Sequence, residues 1–333
     1  MSGVDSKNDN TYHQYLEQKH SKFAVSPSVV DGAVKRATGK AIEERKRIVA
    51  GEVNEVYDVQ TEDGNLIVRI SREEENRFIP EKWAIEKSGE AGVPVPEVLL
   101  VDEAEDKDKK VWVSVETKLQ GEPFDRMTDL PEASMKQITE QAGEILAKIH
   151  SVTTRGFGRI HKHGDGGYNS WESYMLRSLR PQQVKRTLES AKRVGIPARQ
   201  IDQALRIIGD NSKLYEGVSL HLLHGDFGPK HILVSKGLIT GIIDFENCKS
   251  GDPMFDFSWW SYFGKNRPSI DWLKSGYEKI AKLPPDFKRR LILGKLRLGM
   301  DMIWYYDSEG HKLGANLAKQ NLAEDLDRFL QNQ

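Results

Sequence analysis

The residues with the most chemical potential lie in one stretch, His224-Gly225-Asp226-Phe227-Gly228-Pro229-Lys230-His231-Ile232-Leu233-Val234. It follows the apolar residues Leu220, Leu222 and Leu223 and leads into a second apolar run, which reads as Asp226 at a strand exit. Further on, Gly241-Ile242-Ile243 ends in a second carboxylate, Asp244, followed by Phe245 and Glu246. Two acids at strand exits, with the polar side chain of His231 five positions after the first, suit phosphoryl transfer. In that chemistry one carboxylate orients the acceptor hydroxyl, and the other residues hold the metal that bridges the nucleotide phosphates. Singly, each acid could equally serve a turn, Asp226 as an Asx turn and Asp244 at a strand end. Their joint spacing favours chemistry.

The elements needed to position these acids are legible along the chain. RIVAG, NEVYDVQ and NLIVRI are short β-rich runs, and Asp63-Gly64 marks a hairpin between the last two. Phe78 to Ala91 reads as a helix that stops at Gly92, because Val93-Pro94-Val95-Pro96 cannot continue it. Val98–Val101 and Val111–Val115 read as strands joined by the charged turn Glu103–Lys110. After Gly121 and Pro123 helices dominate. Met135, Ile138, Ala142, Ile145, Leu146 and Ile149 share one helical face, with Asp129 as the expected N-cap. Helical segments at 170–180, 183–194 and 198–210 follow, then a β cluster at Ser219–Leu223, Ile232–Val234 and Leu238–Ile243, then helices from Phe255 to Leu330.

Composition bounds the rest. The chain has 333 residues, with 49 Lys+Arg against 50 Asp+Glu and a net charge of -1. That length suggests two domains or one two-lobed unit, and the balanced charge argues against a general nucleic-acid binder. No apolar stretch is long enough to span a membrane, and the polar N-terminus MSGVDSKNDNTYHQYLEQKH does not read as a secretory signal. One cysteine, Cys248, excludes an internal disulfide and a cysteine-based zinc site, so a cytoplasmic protein is expected. Nothing in the sequence specifies an oligomeric state.

On its motifs the chain resembles the aminoglycoside phosphotransferase group of the kinase-like fold, which also holds choline, homoserine, methylthioribose, macrolide and hygromycin kinases. The group carries H-G-D-x-x-x-x-N-x-L, then I-D, then G-D-P with a further Asp. Here stand HGDFGPKHIL, IIDFE, and Gly251-Asp252-Pro253 with Asp256, and TRGFG, SWESY and HGDFG…IIDFENCKSGD look most like the hygromycin-type branch. The resemblance implies an α+β, two-lobed protein-kinase-like fold. In it a polar tail covers residues 1–30, a small β-rich, nucleotide-binding N-lobe 31–118, and a larger, mainly helical C-lobe with the catalytic loop and acceptor site 119–333.

It also implies roles. Asp226 is the base or hydroxyl-orienting acid and Asp244 the magnesium ligand. Arg69, at a strand end, holds phosphates with Glu81 as its helix partner; the alternative is an ordinary surface pair. Gly51 and Asn54 belong to the loop Ala50–Tyr57 that would cradle the nucleotide, and Glu116 and Thr117 to the hinge that would bind its base. The usual metal-binding Asn is His231 here, and imidazole suits manganese better than magnesium. It is therefore either a direct ligand or a support for Asp226 or a metal-bound water, the second being preferred. ATP or GTP is the expected co-substrate, and an aminoglycoside-like antibiotic the expected acceptor. Asp165, Asp271, Glu278 and Asp301 are available acids for a cationic acceptor. The alternatives are a metabolic kinase acting on a sugar, choline or amino alcohol, and a non-catalytic nucleotide-binding pseudokinase. His150 reads as a helix-dipole partner, His161 and His163 as solvated loop residues, Cys248 as a spectator thiol, and the aromatics from Phe255 to Phe263 mainly as core.

Overall fold

β-branched and aromatic residues alternating with polar ones build the N-terminal sheet. The computed structural model describes residues 16–17, 20, 24–49, 51, 53–264 and 268–331. A helix, α1 (Pro27–Thr38), precedes β1 (Glu44–Ile48), β2 (Glu55–Thr61) and β3 (Gly64–Ser71). Helix α2 (Phe78–Glu90) comes next, then β4 (Val98–Asp106) and β5 (Lys109–Thr117). The five strands form one antiparallel sheet in the order β1-β2-β3-β5-β4. Val59, Val68, Ile70, Val113 and Val115 are buried on it beneath Val29, Val30, Ala33 and Val34 of α1.

The sequence reading missed α1. The expected polar tail to residue 30 cuts into this helix, where Val29 and Val30 pack with Val25 against the sheet. Residues 1–15 of that tail, and Ala50 and Glu52 of the expected cradle loop, lie outside the described residues. The turn read as Glu103–Lys110 is shorter, because β4 runs to Asp106 and only Lys107 and Asp108 take positive φ between the strands.

Beyond the short β6 (Glu122–Pro123), α3 (Glu132–His150) opens the second lobe, with Pro131 rather than Asp129 at its N-cap. The chain continues through β7 (Phe157–Lys162), β8 (Asp165–Tyr168), α4 (Trp171–Met175), α5 (Pro181–Arg193) and α6 (Ala198–Asp210). Next come β9 (His221–Leu223), β10 (Ile232–Ser235), β11 (Leu238–Ile242) and β12 (Lys249–Gly251). Four helices close the lobe: α7 (Met254–Tyr262), α8 (Ile270–Glu278), α9 (Phe287–Ser308) and α10 (Lys312–Gln331). The architecture is the expected α+β, two-lobed one. The Gly-rich segment read as a loop around His161 is instead β7, paired with β12 and β8.

Arg77, just ahead of α2, ties the lobes together. Its buried guanidinium donates to the carbonyls of Ile160 and Glu246, both at 3.0 Å. Among the described residues no helix is long and apolar enough to cross a membrane.

Candidate active site

The β9 exit turns back sharply at Gly225, whose φ of 83° an L side chain seldom adopts. A Cβ there would sit 1.9 Å from the Asn247 carbonyl oxygen, so the turn needs glycine. Asp256 on α7 fixes the same turn from behind: its carboxylate accepts the amides of His224 and Gly225, both at 2.8 Å. His150 at the end of α3 contacts the same carboxylate through Nε2 at 3.1 Å, with Nδ1 3.1 Å from the Tyr277 hydroxyl. His150 is therefore a buried brace for Asp256, which corrects its reading as a helix-dipole partner. Burial drives the His224 pKa down to about 4. A neutral ring matches its contacts, with Nε2–H donating to the Ile243 carbonyl at 3.1 Å and Nδ1 accepting the Asp226 amide at 3.3 Å.

Asp226 emerges from this brace 8% exposed. Its Oδ2 is 3.2 Å from Lys230 Nζ, while the buried Oδ1 has no hydrogen-bond partner among the described residues. Burial pushes this carboxyl up, but Lys230 and His231 outweigh it and hold the pKa below the usual value.

Asp244, at the exit of β11, has φ 68° and ψ 61°, a left-handed backbone rare for a residue with a side chain. The conformation aims its two oxygens at different partners: Oδ1 is 3.3 Å from Arg69 and Oδ2 is 3.0 Å from His231 Nε2. Burial acts to raise its pKa, and His231, followed by Arg69, more than reverses this, keeping the group ionised far below the ordinary range.

Arg69 is the hub. From β3 its guanidinium reaches Glu81 on α2 at 2.6 Å, Glu246 at 3.2 Å, Asp244 at 3.3 Å and Glu116 on β5 at 3.5 Å. It is 8% exposed, so this is no surface pair. Four carboxylates round one guanidinium leave a surplus of negative charge. Burial, with three of those carboxylates adding to it, raises the Glu81 pKa far above normal despite Arg69. Asn54 joins the hub by donating to Glu246 at 2.5 Å, and its buried Oδ1 is unpartnered among the described residues.

The fold thus gathers Arg69, Glu81, Glu116, Asn54, Asp226, His231 and Asp244. Gly51 stands apart on an exposed loop, where its carbonyl is 2.9 Å from His20 Nε2. Thr117 lies at the end of β5, where its amide donates to the Glu97 carbonyl at 3.0 Å and its hydroxyl accepts the Glu97 amide at 2.9 Å, while the next amide, of Lys118, donates to the Asn65 carbonyl at 3.0 Å. Glu116 reaches the site through its side chain. His231 lies between the two acids' segments, with Nδ1 2.9 Å from the Asp226 carbonyl and Nε2 3.0 Å from Asp244 Oδ2, the placement expected of a support for both.

Sequence reasoning passed over Glu246, although the quoted IIDFE motif held it, and it passed over Lys230, Lys249 and Arg77. Cys248 is fully buried with its thiol pushed up to about 12 by that burial, as suits an inert residue. Of the acids proposed for a cationic acceptor, Asp165 pairs with Arg155 at 2.7 Å and Glu278 with Lys274 at 2.6 Å. Asp301 pairs with both Arg177 and Arg297, at 2.7 and 2.9 Å.

Comparison with known proteins agrees with this geometry. Residues 44–276 match the model of the phosphotransferase enzyme family. Hygromycin-B 4-O-kinase of Escherichia coli is 21% identical over 276 residues, covering 79% of this chain and 75% of the relative. A thermostable mutant of aminoglycoside phosphotransferase APH(4)-Ia, solved with AMP-PNP and hygromycin B, superposes with a TM-score of 0.73 at 20% identity, covering 90% of this chain and 98% of that one. A Thermobifida fusca protein assigned as a fructosamine-3-kinase superposes at 0.66 with 18% identity, over 90% and 100% of the two chains. At these identities the structures establish the kinase-like fold. The match over most of the chain, from the first strand to the end of α8, carries the assignment: the chain belongs to the phosphotransferase enzyme family.

Proposed function

We propose that the protein transfers the γ-phosphate of ATP to a hydroxyl of a small molecule, with an aminoglycoside-like compound as the acceptor. The observation that carries the phosphotransfer reading is the placement of Asp226 beside the Arg69–Asp244 hub. A carboxylate with one oxygen unspent by the protein is joined through the His231 ring to a second carboxylate, Asp244, which pairs with the Arg69 guanidinium. Asp226 Oδ1 would accept a hydrogen bond from the acceptor hydroxyl and set its lone pair toward the phosphorus. With a carboxyl held below its usual pKa, orientation rather than strong basicity is its contribution. Arg69, positioned by Glu81, would move part of its charge from the carboxylates to phosphate oxygens when the nucleotide enters.

The oxygen-only donor set of Asp244, with Glu246 beside it, fits a hard divalent cation such as magnesium. Among the described residues no three His, Cys, Asp or Glu side chains are grouped to hold an ion alone, so phosphate oxygens and water would complete its shell. Such an ion would supply neutralisation of phosphate charge. His231 would act by fixing Asp244 and the Asp226 backbone together. The adenine nucleotide is favoured over GTP because related structures hold AMP-PNP or ADP. The acceptor follows from the hygromycin B bound in the same relatives. A metabolic acceptor is the second reading, supported by the likeness to a fructosamine-3-kinase.

The test is a screen for ADP formation with ATP or GTP against aminoglycosides, macrolides, ketoamine sugars and small alcohols. Acceptor-dependent ADP release with phosphate recovered on the acceptor is expected. Absence of any turnover, with nucleotide bound, would favour a pseudokinase.

A further inference from the structure

The catalytic turn also has cations packed against it. In the β12 register Lys249 lies opposite both Leu223 of β9 and Arg159 of β7, so these side chains share one face of the sheet. Lys249 Nζ is 2.8 Å from where a Cβ on Gly225 would stand, which puts the ammonium against the turn that carries Asp226. It donates to the Asn247 carbonyl at 2.7 Å and lies 4.8 Å from the Phe255 ring centroid. Among the described residues it makes no ion pair with a carboxylate, and one hydrogen bond leaves an ammonium with donors to spare.

Its charged neighbours compensate it only in part, with Asp256 acting to hold its proton. Arg159 and Arg177 both act to lower its pKa. The Asp301 carboxylate has one oxygen on Arg177 and the other on Arg297. Asp256 is spent behind the turn on two amides and His150. An acceptor ammonium brought here would meet like charge with no free acid to receive it, whereas a hydroxyl or anionic oxygen would meet unused N–H donors.

We infer that the face of β12 beside Gly225, centred on Lys249, is a specificity surface that admits an oxygen-rich portion of the acceptor and rejects ammonium groups next to the hydroxyl that reacts. The inference rests on the phosphotransfer reading and narrows its acceptor. Amino groups of an aminoglycoside-like molecule would point away from this face, and hydroxyl or carboxylate groups toward it.

The experiment uses the full chain and a matched pair of acceptors, paromomycin and neomycin, which differ at one ring position by hydroxyl against amine. Turnover is read as kcat/KM, and binding by calorimetry to the Asp226→Asn variant loaded with AMP-PNP. The hydroxyl-bearing member should be preferred by about 10-fold or more, as expected when a like charge is avoided. Lys249→Met should shrink that ratio to within about 3-fold, and Lys249→Arg should keep it. Equal use of the two acceptors, preference for the amine, no detectable binding of either, or a ratio unmoved in Lys249→Met would each overturn the inference. If the binding preference holds while wild type transfers no phosphate to either, the specificity surface stands and the phosphotransfer reading fails instead. A thermal melt of each variant shows whether it is folded.

Discussion

The two flanks of Asp226 carry opposite charge. On the Arg69 flank, four carboxylates from α2, β5 and the segment after β11 converge on one buried guanidinium. On the Lys249 flank, Lys249, Arg159, Arg177 and Arg297 gather where the carboxylate of Asp301 is already doubly paired. The first flank has an anionic surplus that a divalent cation with its phosphates would relieve. The second has a cationic surplus that an oxygen-rich molecule would relieve. Asp226 stands between them with one oxygen uncommitted. Such a division suits a reaction that brings a metal nucleotide and a hydroxyl compound together at one carboxylate.

The contrast can be broken most severely at its centre. Asp226→Asn should retain the fold and bind nucleotide while losing about 10²–10⁴-fold in turnover. Wild-type rates in the purified variant would remove the carboxylate from the reaction.

Emptying the hub should come next. Arg69→Ala leaves four acids facing one another, and should weaken AMP-PNP binding about 100-fold while lowering stability by about 3 kcal/mol. Calorimetry on the variant would refute the assignment if triphosphate affinity were unchanged.

His231→Asn sharpens the account of the hub. If the ring acts by bridging Asp226 and Asp244, an amide can take over part of that bridge, and magnesium-dependent turnover should stay within about 10-fold of wild type. Manganese activity that dominates in wild type, and magnesium activity that disappears in the variant, would point to a nitrogen bound to metal after all.

On the cationic flank a smaller effect should appear as a function of pH. Burial, with Arg159 next, pulls the Lys249 amine down to about 8; Arg177, Asp256 and Cys248 are the other groups acting on it. The folded chain therefore loses this proton at lower pH than the unfolded chain. The cost of keeping the ammonium is full below about pH 8 and fades as pH rises toward the ordinary lysine value. Lys249→Met should be more stable than wild type by about 1 kcal/mol at pH 7, allowing for partial exposure, with the gain shrinking between pH 8 and 10. Denaturant curves showing a gain that grows with pH would contradict this.

The smallest effect belongs to Cys248. Cys248→Ala should cost about 1 kcal/mol of packing and leave turnover intact, and the wild-type thiol should react with maleimide only on unfolding. Rapid labelling of the folded protein would show that the thiol is accessible.

Much of this site could be read along the chain because its residues are carried by short motifs. Asp226 and His231 share one turn, and Asp244 directly follows the apolar pair Ile242-Ile243, so local pattern alone marks them. Glu246 and Asp256 were equally visible as letters. Their work depends on groups distant in sequence: Asn54 and Arg69 for one, and the amides of His224 and Gly225 for the other. Helix α1 escaped because its four buried residues sit in a short segment that also carries Ser28, Asp31, Lys35, Arg36 and Thr38, next to polar sequence, and only the sheet beneath them makes them core. β7 escaped because Gly158 weakens its strand pattern and glycines flank it, and pairing with β12 overrides this.

The sequence by itself determined the kinase-like order of elements, the glycine turn before Asp226 and the acid at the end of β11. These are features of backbone geometry and of near neighbours, which residue type and spacing control directly. Only the tertiary structure decided which charges face each other. The Arg69 partners are separated from it by up to 177 positions, and Lys249 meets Arg177 and Asp301 only after the helices pack. Electrostatic interaction depends on distance and burial rather than on order along the chain. A net charge of -1 therefore conceals an anionic cluster and a cationic one, and folding alone separates them.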